Sequence, residues 1–332
     1  MVRVSSLWAD ERVYYPLEVE PSTPAYHVAG GKHDPAFRTT LTIALELAER
    51  AVTAGLPVRA VVADSCYGED EGFKAGLRQL KVGYVLALKP SHAWLHLEGT
   101  LGALWQVAEA AGWQEPAAPG AWVKVERSFR DGHTEAWWAL DVQAGPYGPA
   151  QAHRAVIVTT DPMALPDRST WYLVTNLLAP GSHRAQAADT LPAANLAEIV
   201  RLYGLRMWVE QSYKQVKYAL GWSQYQVRSD LAIRRHWQLV CCVCSFCWWH
   251  HSQATAGEVL DAPVQRGQAA DQPAATAEVG EKKKPRASTA APASFLAVAL
   301  RAVRAWLEPW IMLGRYWRGW SQAPAVRVPA AA

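Results

Sequence analysis

The sequence predicts an α/β fold in which a mixed sheet is flanked by helices. Three stretches predict it. The first is an apolar run, Pro57–Ala63, that ends at Asp64 and is followed by a helical stretch over Glu71–Leu80 and a second apolar run, Tyr84–Leu88. Strand, helix, strand is the unit from which parallel sheets are built. The second is a series of strand-like pieces at 122–127, 135–142, 155–160 and 170–175, separated by Gly, Pro and Asp. The third is Tyr203 to Lys217, whose apolar residues Leu205, Trp208, Val209 and Val216, with Ala219 beyond them, keep helical spacing.

The elements follow in order. Residues 2–8 and 12–19 alternate like the strands of a hairpin, with Ala9–Glu11 as its turn. Residues 21–38 carry Pro, Gly, Lys and His and form a loop. Thr39 to Ala54 is a helix stopped by Gly55. Asp64 sits at the carboxyl end of its strand, where open α/β sheets place ligands. An Asp in that place also serves as a helix N-cap. Asn195-Leu-Ala-Glu198 has the pattern of a capping box and opens the helical part of the chain. Gly221 is a stop, and 226–230 leads into a helix with Arg234, Arg235, His236 and a Cys-rich apolar run.

In the Tyr203–Lys217 helix, Tyr203, Arg206, Glu210 and Lys217 share one arc of roughly 60° at about 100° per residue. A solvated face with i,i+4 and i,i+7 charge pairs is one meaning of that pattern. The spacing Y-x2-R-x3-E-x6-K has another. It resembles the signature of bacterial insertion-sequence DDE transposases with a ribonuclease H-like core, and Asp64-x-x-Tyr67 resembles the second-aspartate motif of the same family. The resemblance implies a ribonuclease H-like mixed sheet with a β-rich insertion before the catalytic helix. It implies Asp64 and Glu210 as catalytic, metal-binding carboxylates for two Mg²⁺ or Mn²⁺ ions. It implies Tyr203, Arg206, Lys217 and Tyr67 as contacts to double-stranded DNA at transposon ends, with a homodimer in the DNA complex and a place in the bacterial cytoplasm at the nucleoid.

In that family the first catalytic Asp lies on a strand upstream of the opening hairpin. Asp10, in the hairpin turn, and Asp34, in a loop, do not match its pattern. The expectation is therefore an N-terminally truncated, inactive transposase. The alternative is a non-catalytic DNA-binding protein that competes for transposon ends. The expected organisation is a first part of the core over 1–90, the β-rich insertion over 91–190 and the signature helix with the second part of the core over 191–253. A disordered linker over 254–293, rich in Ala, Gln, Pro and charge, and a C-terminal helical segment over 294–325 complete it.

Composition bounds the rest. The 332 residues are half hydrophobic and carry a net charge of +3, which permits a large core and says little of partners. The 17 Trp are unusually many; Trp137 and Trp138 fit core filling better than base stacking. Four of the five Cys fall within Cys241–Cys247 without zinc-finger spacing, as reduced buried thiols; a zinc site with His250 and His251 is the alternative. The longest apolar run, Leu239 to Trp249, is too short to span a bilayer. Asp131 and Asp161 read as turn residues. In the last segment Trp306, Trp310, Leu313 and Trp317 form one stripe that suits docking onto the core.

Overall fold

The computed structural model describes residues 2–95, 101–129, 133–143, 154–165, 170–182, 191–227, 229–261 and 295–320. Asp131 and most of the expected linker, from 262 to 294, lie outside them. The chain opens with strands β1 (Val2–Ala9) and β2 (Tyr14–Ser22), an antiparallel pair. Asp10 closes the turn by accepting from the backbone N–H groups of Arg12 and Val13 at 2.7 and 2.8 Å. Helix α1 (Thr40–Thr53) starts where the Thr39 side chain accepts from Thr42 N and stops before Gly55, whose φ of 73° suits a residue without a Cβ.

Strand β3 (Val61–Ala63), the short helix α2 (Ser65–Gly68), helix α3 (Glu71–Gln79) and strand β4 (Tyr84–Leu88) make the expected crossover, with β3 and β4 parallel. A small hairpin, β5 (Ala93–Leu95) and β6 (Leu101–Ala103), and helix α4 (Leu104–Ala110) follow. Then come β7 (Val123–Ser128), β8 (Thr134–Gln143), β9 (Arg154–Thr159) and β10 (Thr170–Thr175), each within a residue or so of the stretch that predicted it. These four strands continue the sheet of β3 and β4. Its order is β3-β4-β10-β9-β8-β7, a six-stranded mixed sheet flanked by helices, as in a ribonuclease H-like fold.

Alternation decides what covers each face. Tyr84, Leu86 and Leu88 of β4, with Ile157 and Tyr172, pack with Phe73 and Leu77 of α3 and Leu104 of α4. Val85, Val156, Val158 and Leu173 pack on the other face against Ile199, Val200 and Leu202 of α5 (Leu196–Gly204). Trp137 and Trp138 follow the same rule: Trp137 meets Trp171 on the α5 face, and Trp138 meets Trp113 on the other. Both fill the core, as expected.

Helices α6 (Met207–Ala219) and α7 (Asp230–Asp261) turn to the β1–β2 hairpin. Val216, Trp222, Trp237, Val240 and Trp248 bury Tyr14 and Val19 there. Glu20 of β2 ties this layer together by pairing with Arg38, Arg50 and Arg234. Burial alone would raise the Glu20 pKa, but Arg234 and Arg38 hold it below the usual carboxylate value. Helix α7 continues past 254 to Asp261, so the first part of the expected linker is helical. Helix α8 (Phe295–Trp320) docks on Cys247 through Ala299. Trp310 and Leu313 do not dock as expected; they are exposed, because the apolar contact lies at the start of the helix.

Gly68 fixes how close the Asp64 turn lies to the sheet. A Cβ built at Gly68 would stand 1.8 Å from the carbonyl oxygen of Ala87, a backbone atom that cannot swing away. Gly68→Ala should therefore lower stability by roughly 2–4 kcal/mol. The midpoint of denaturant unfolding measures this, and an unchanged midpoint would contradict the packing described.

Candidate active site

Asp64 is the first residue after β3, and both meanings of its position are realised. Its Oδ1 accepts from Cys66 N at 3.0 Å and so caps α2. Its Oδ2 faces the guanidinium of Arg206, with Nη2 at 3.7 Å. The other nitrogen of the same guanidinium, Nη1, lies 3.5 Å from Glu210 Oε1. Two carboxylates far apart in sequence therefore meet at one Arg head. That geometry bounds their separation at about 10 Å. The Asp64 and Glu210 side chains are 45% and 63% exposed, so ligands can reach them.

The two elements that carry these groups are held by identifiable contacts. Arg59, just before β3, pairs with Glu198 at 2.8 Å and donates to the carbonyls of Pro192 and Ala193. That fixes the start of α5 beside the Asp64 strand. The expected capping box is half present. Asn195 accepts from Glu198 N at 2.8 Å, but the Glu198 side chain turns to Arg59. Buried Arg154 adds a second clamp. It forks onto Asp141 at 2.8 and 2.9 Å and donates to the carbonyls of Leu177 and Ala194.

The single helix expected from Tyr203 to Lys217 is two helices. Helix α5 ends at Gly204 and α6 begins at Met207. Arg206 N bonds Tyr203 O, and Val209 N bonds Arg206 O, both at 3.0 Å, in turns tighter than an α-helix. A Cβ at Gly204 would lie 3.2 Å from Arg127 Nε, so a glycine lets that guanidinium approach the break. Arg127 in turn lies over Phe129, Trp137 and Trp171. No motif pointed to Arg127 or Arg59. Their roles exist only once distant strands are packed.

The break separates the four signature residues. Arg206 and Glu210 stand together at the start of α6. Lys217 is exposed two turns further along the same face, about 10 Å away at 1.5 Å per residue. Tyr203 belongs to α5, is 7% exposed, and meets Trp171 edge-on at 4.9 Å. Burial pushes its phenol pKa up; the Arg206 charge opposes this, and the Asp64 and Glu210 charges reinforce it. Tyr67 on α2 packs against Phe73, and burial with the Asp64 charge raises its phenol pKa as well. Both phenols stay protonated and able to donate.

The other acidic candidates stand elsewhere. Asp10 is engaged by its own turn, and Asp34 accepts from Gly30 N and Ala36 N. Asp161 caps a short turn at Met163 N. Among the described residues, no group of three or more His, Cys, Asp or Glu is arranged to hold a metal. This removes the zinc alternative from those residues, and burial pushes the Cys241 and Cys244 thiols up to about 12. Asp64 and Glu210 nonetheless suit a hard cation such as Mg²⁺, which takes one or two carboxylates and completes its shell with water and phosphate oxygen.

Residues 1–100 match the family model described as DDE superfamily endonuclease. The chain is also 29% identical, over 214 residues, to the probable transposase for insertion sequence element IS701 of Microchaete diplosiphon. Over these stretches the chain is similar to the insertion-sequence DDE transposases. The aligned part covers 64% of this chain and 47% of that transposase, so the chain spans about half the length of the curated relative it matches. No described helix is long and apolar enough to cross a membrane.

Arg206 occupies the gap between the two carboxylates and competes with any cation there. Arg206→Gln should therefore tighten Mn²⁺ binding by roughly threefold to tenfold, a gain of about 1 kcal/mol for one partly exposed charge, and Glu210→Gln should weaken it. Titration of free Mn²⁺ by electron paramagnetic resonance measures both. Weaker binding by the Arg206 variant would show that the guanidinium organises the carboxylates instead of competing for them.

Proposed function

We propose that the chain carries part of the metal-dependent DNA cleavage and strand-transfer centre of an insertion-sequence transposase. The observation that supports this is the convergence of Asp64 and Glu210 on Arg206. When bound, two Mg²⁺ or Mn²⁺ ions would supply positive charge at the attacking and leaving oxygens of the phosphodiester. Asp64 and Glu210 are the residues that would hold them. Arg206 then exchanges its carboxylate partners for phosphate oxygens, which a planar guanidinium can bind with two parallel N–H bonds. Lys217, two turns on, meets the next stretch of backbone as a point charge. The Tyr203 and Tyr67 hydroxyls donate toward the same phosphates from the walls of the site. The partner is double-stranded DNA at transposon ends. Two ends give reason for a homodimer on the DNA, in the bacterial cytoplasm beside the nucleoid.

We further propose that this chain by itself binds DNA without cutting it. Two carboxylates do not fix a pair of ions, and a misplaced ion loses much of its effect on the leaving oxygen. The lack of a third acidic ligand among the described residues favours this, and with it the second reading, a DNA-binding protein that competes for transposon ends.

Nicking of supercoiled plasmid with Mg²⁺ or Mn²⁺ tests the claim. The expected result is no nicking by the chain or by its Glu210→Gln form. Metal-dependent nicking by the first and not the second would overturn it. Binding is tested separately by the salt dependence of affinity for duplex DNA. Lys217→Ala should flatten the slope of log K against log salt by about one unit, as expected when one phosphate is no longer neutralised. An unchanged slope would remove Lys217 from the interface.

A further inference from the structure

We propose that Arg127 is a positioning residue for Arg206 and Glu210: its guanidinium is wedged against the break between α5 and α6 and sets the direction in which α6 leaves it. The consequence for a cation rests on the reading of Asp64 and Glu210 as one site. The geometry rests on contacts alone. Strand register brings the parts together. Strands β3 and β4 end on the rim of the sheet at which β10 begins, since Leu86 pairs with both Ala63 and Val174, and Leu88 pairs with Tyr172. On the same rim β9 ends and β8 begins, with Thr159 opposite both Thr170 and Trp138. Strand β7 ends there too, with Ser128 opposite Thr134. Arg127, next to the end of β7, therefore shares a rim with Asp64, although β7 and β3 are the two outermost strands of the sheet.

A ladder of flat groups runs along that rim. His133 stacks on Phe129 at 4.2 Å, with 8° between the planes. The guanidinium of Arg127 lies over the rings of Phe129, Trp171 and Trp137 at 4.3, 5.0 and 5.1 Å. Trp171 in turn meets Tyr203 of α5. Arg127 Nη2 also donates to the sulfur of Met207, the first residue of α6, at 3.5 Å. Glu135, the carboxylate whose charge acts on Arg127, accepts from Trp137 Nε1 at 2.9 Å and faces His133. Among the described residues the cation is thus held by ring faces and by the break itself, and not by an ion pair.

Gly204 supplies a second observation. It is the last residue of α5, and its φ is not positive, so its backbone does not call for glycine. Alanine would favour the helix. What crowds a Cβ there is Arg127: the three atoms nearest to one built at Gly204 are Nε, Nη2 and Cζ of Arg127, at 3.2, 3.4 and 3.5 Å. One guanidinium therefore touches the last residue of α5 and the first of α6, with Arg206 between them. That contact fixes the angle between the helices, and through it the place of Glu210 one turn into α6. A planar fork can lie along the rings and Gly204 at once, whereas the point charge of a lysine cannot.

The test uses the full chain with spin labels on Cys66, two residues past Asp64, and on Tyr218→Cys, an exposed position of α6; Cys242→Ser removes the other exposed thiol. Double electron–electron resonance then reads the distance across the site, and Mn²⁺ is titrated on the unlabelled forms. The expected result is one narrow distance with Arg127 in place. Arg127→Ala and Arg127→Lys should each broaden it about twofold and weaken Mn²⁺ binding about threefold. Gly204→Ala, which crowds the guanidinium from the other side, should broaden the distance too, and should add nothing to Arg127→Ala. Gly204→Ala keeps every side chain of the ladder, so it decides the matter where the Arg127 variants do not fold. Unchanged distances in these variants, even with a lower unfolding midpoint, would overturn the proposal, because a residue that only stabilises the fold behaves in that way. A broadened distance in a chain that binds no Mn²⁺ would support the positioning role and strike the cation reading instead.

Discussion

The site depends on the burial of one sheet from both sides. Strand β3 leads into Asp64, and helix α5 leads to Arg206 and Glu210, yet these elements lie far apart in the sequence. They meet because Val85, Val156, Val158 and Leu173 turn their side chains to one face of the sheet, where Ile199, Val200 and Leu202 cover them. Burying that many aliphatic side chains, at about 1.5–3 kcal/mol each, fixes the layer far more firmly than any surface ion pair. Buried Arg154 then sets where the chain enters α5, because its guanidinium reaches the carbonyls of both Leu177 and Ala194. The charged groups at the rim inherit their positions from this packing.

At that rim the guanidinium of Arg206 is the common partner of two carboxylates. On its own, an exposed pair at these distances contributes little to stability. Its importance is chemical. It occupies the place between two acidic groups that a cation would take and leaves a fork that can turn to phosphate. Arg206 stands in the break between α5 and α6, next to Gly204, where Arg127 packs. Tyr203 lies on the sheet-facing side of α5 with Ile199 and sits against Trp171.

Much of the fold was legible in the sequence because local rules decide it. Strands β7 to β10 follow from apolar and alternating stretches bounded by Gly, Pro and Asp, and α1 from its helical stretch and Gly stop. The sheet order was not legible. That β10 lies beside β4 is decided by long-range packing, to which periodicity is blind. The break at Leu205 escaped for a similar reason, since a helical wheel contains no information on Arg127. Asp64 and Glu210 were legible as a pair only through two motifs in one order. At Trp310 and Leu313 the stripe of α8 misled because the length of an apolar stripe says nothing of which part of it finds a partner; Ala299 docks and these two do not, while the side chains of Trp306 and Trp317 lie outside those described.

The central claim is that Asp64 and Glu210 form one cation site at the guanidinium of Arg206. Anomalous diffraction from a crystal soaked in Mn²⁺ tests it most directly. The account predicts a peak bonded to oxygens of both carboxylates, at about 2.1 Å for a hard divalent ion, with Arg206 displaced toward solvent. A peak on one carboxylate alone, with the other turned away and Arg206 unmoved, would contradict it.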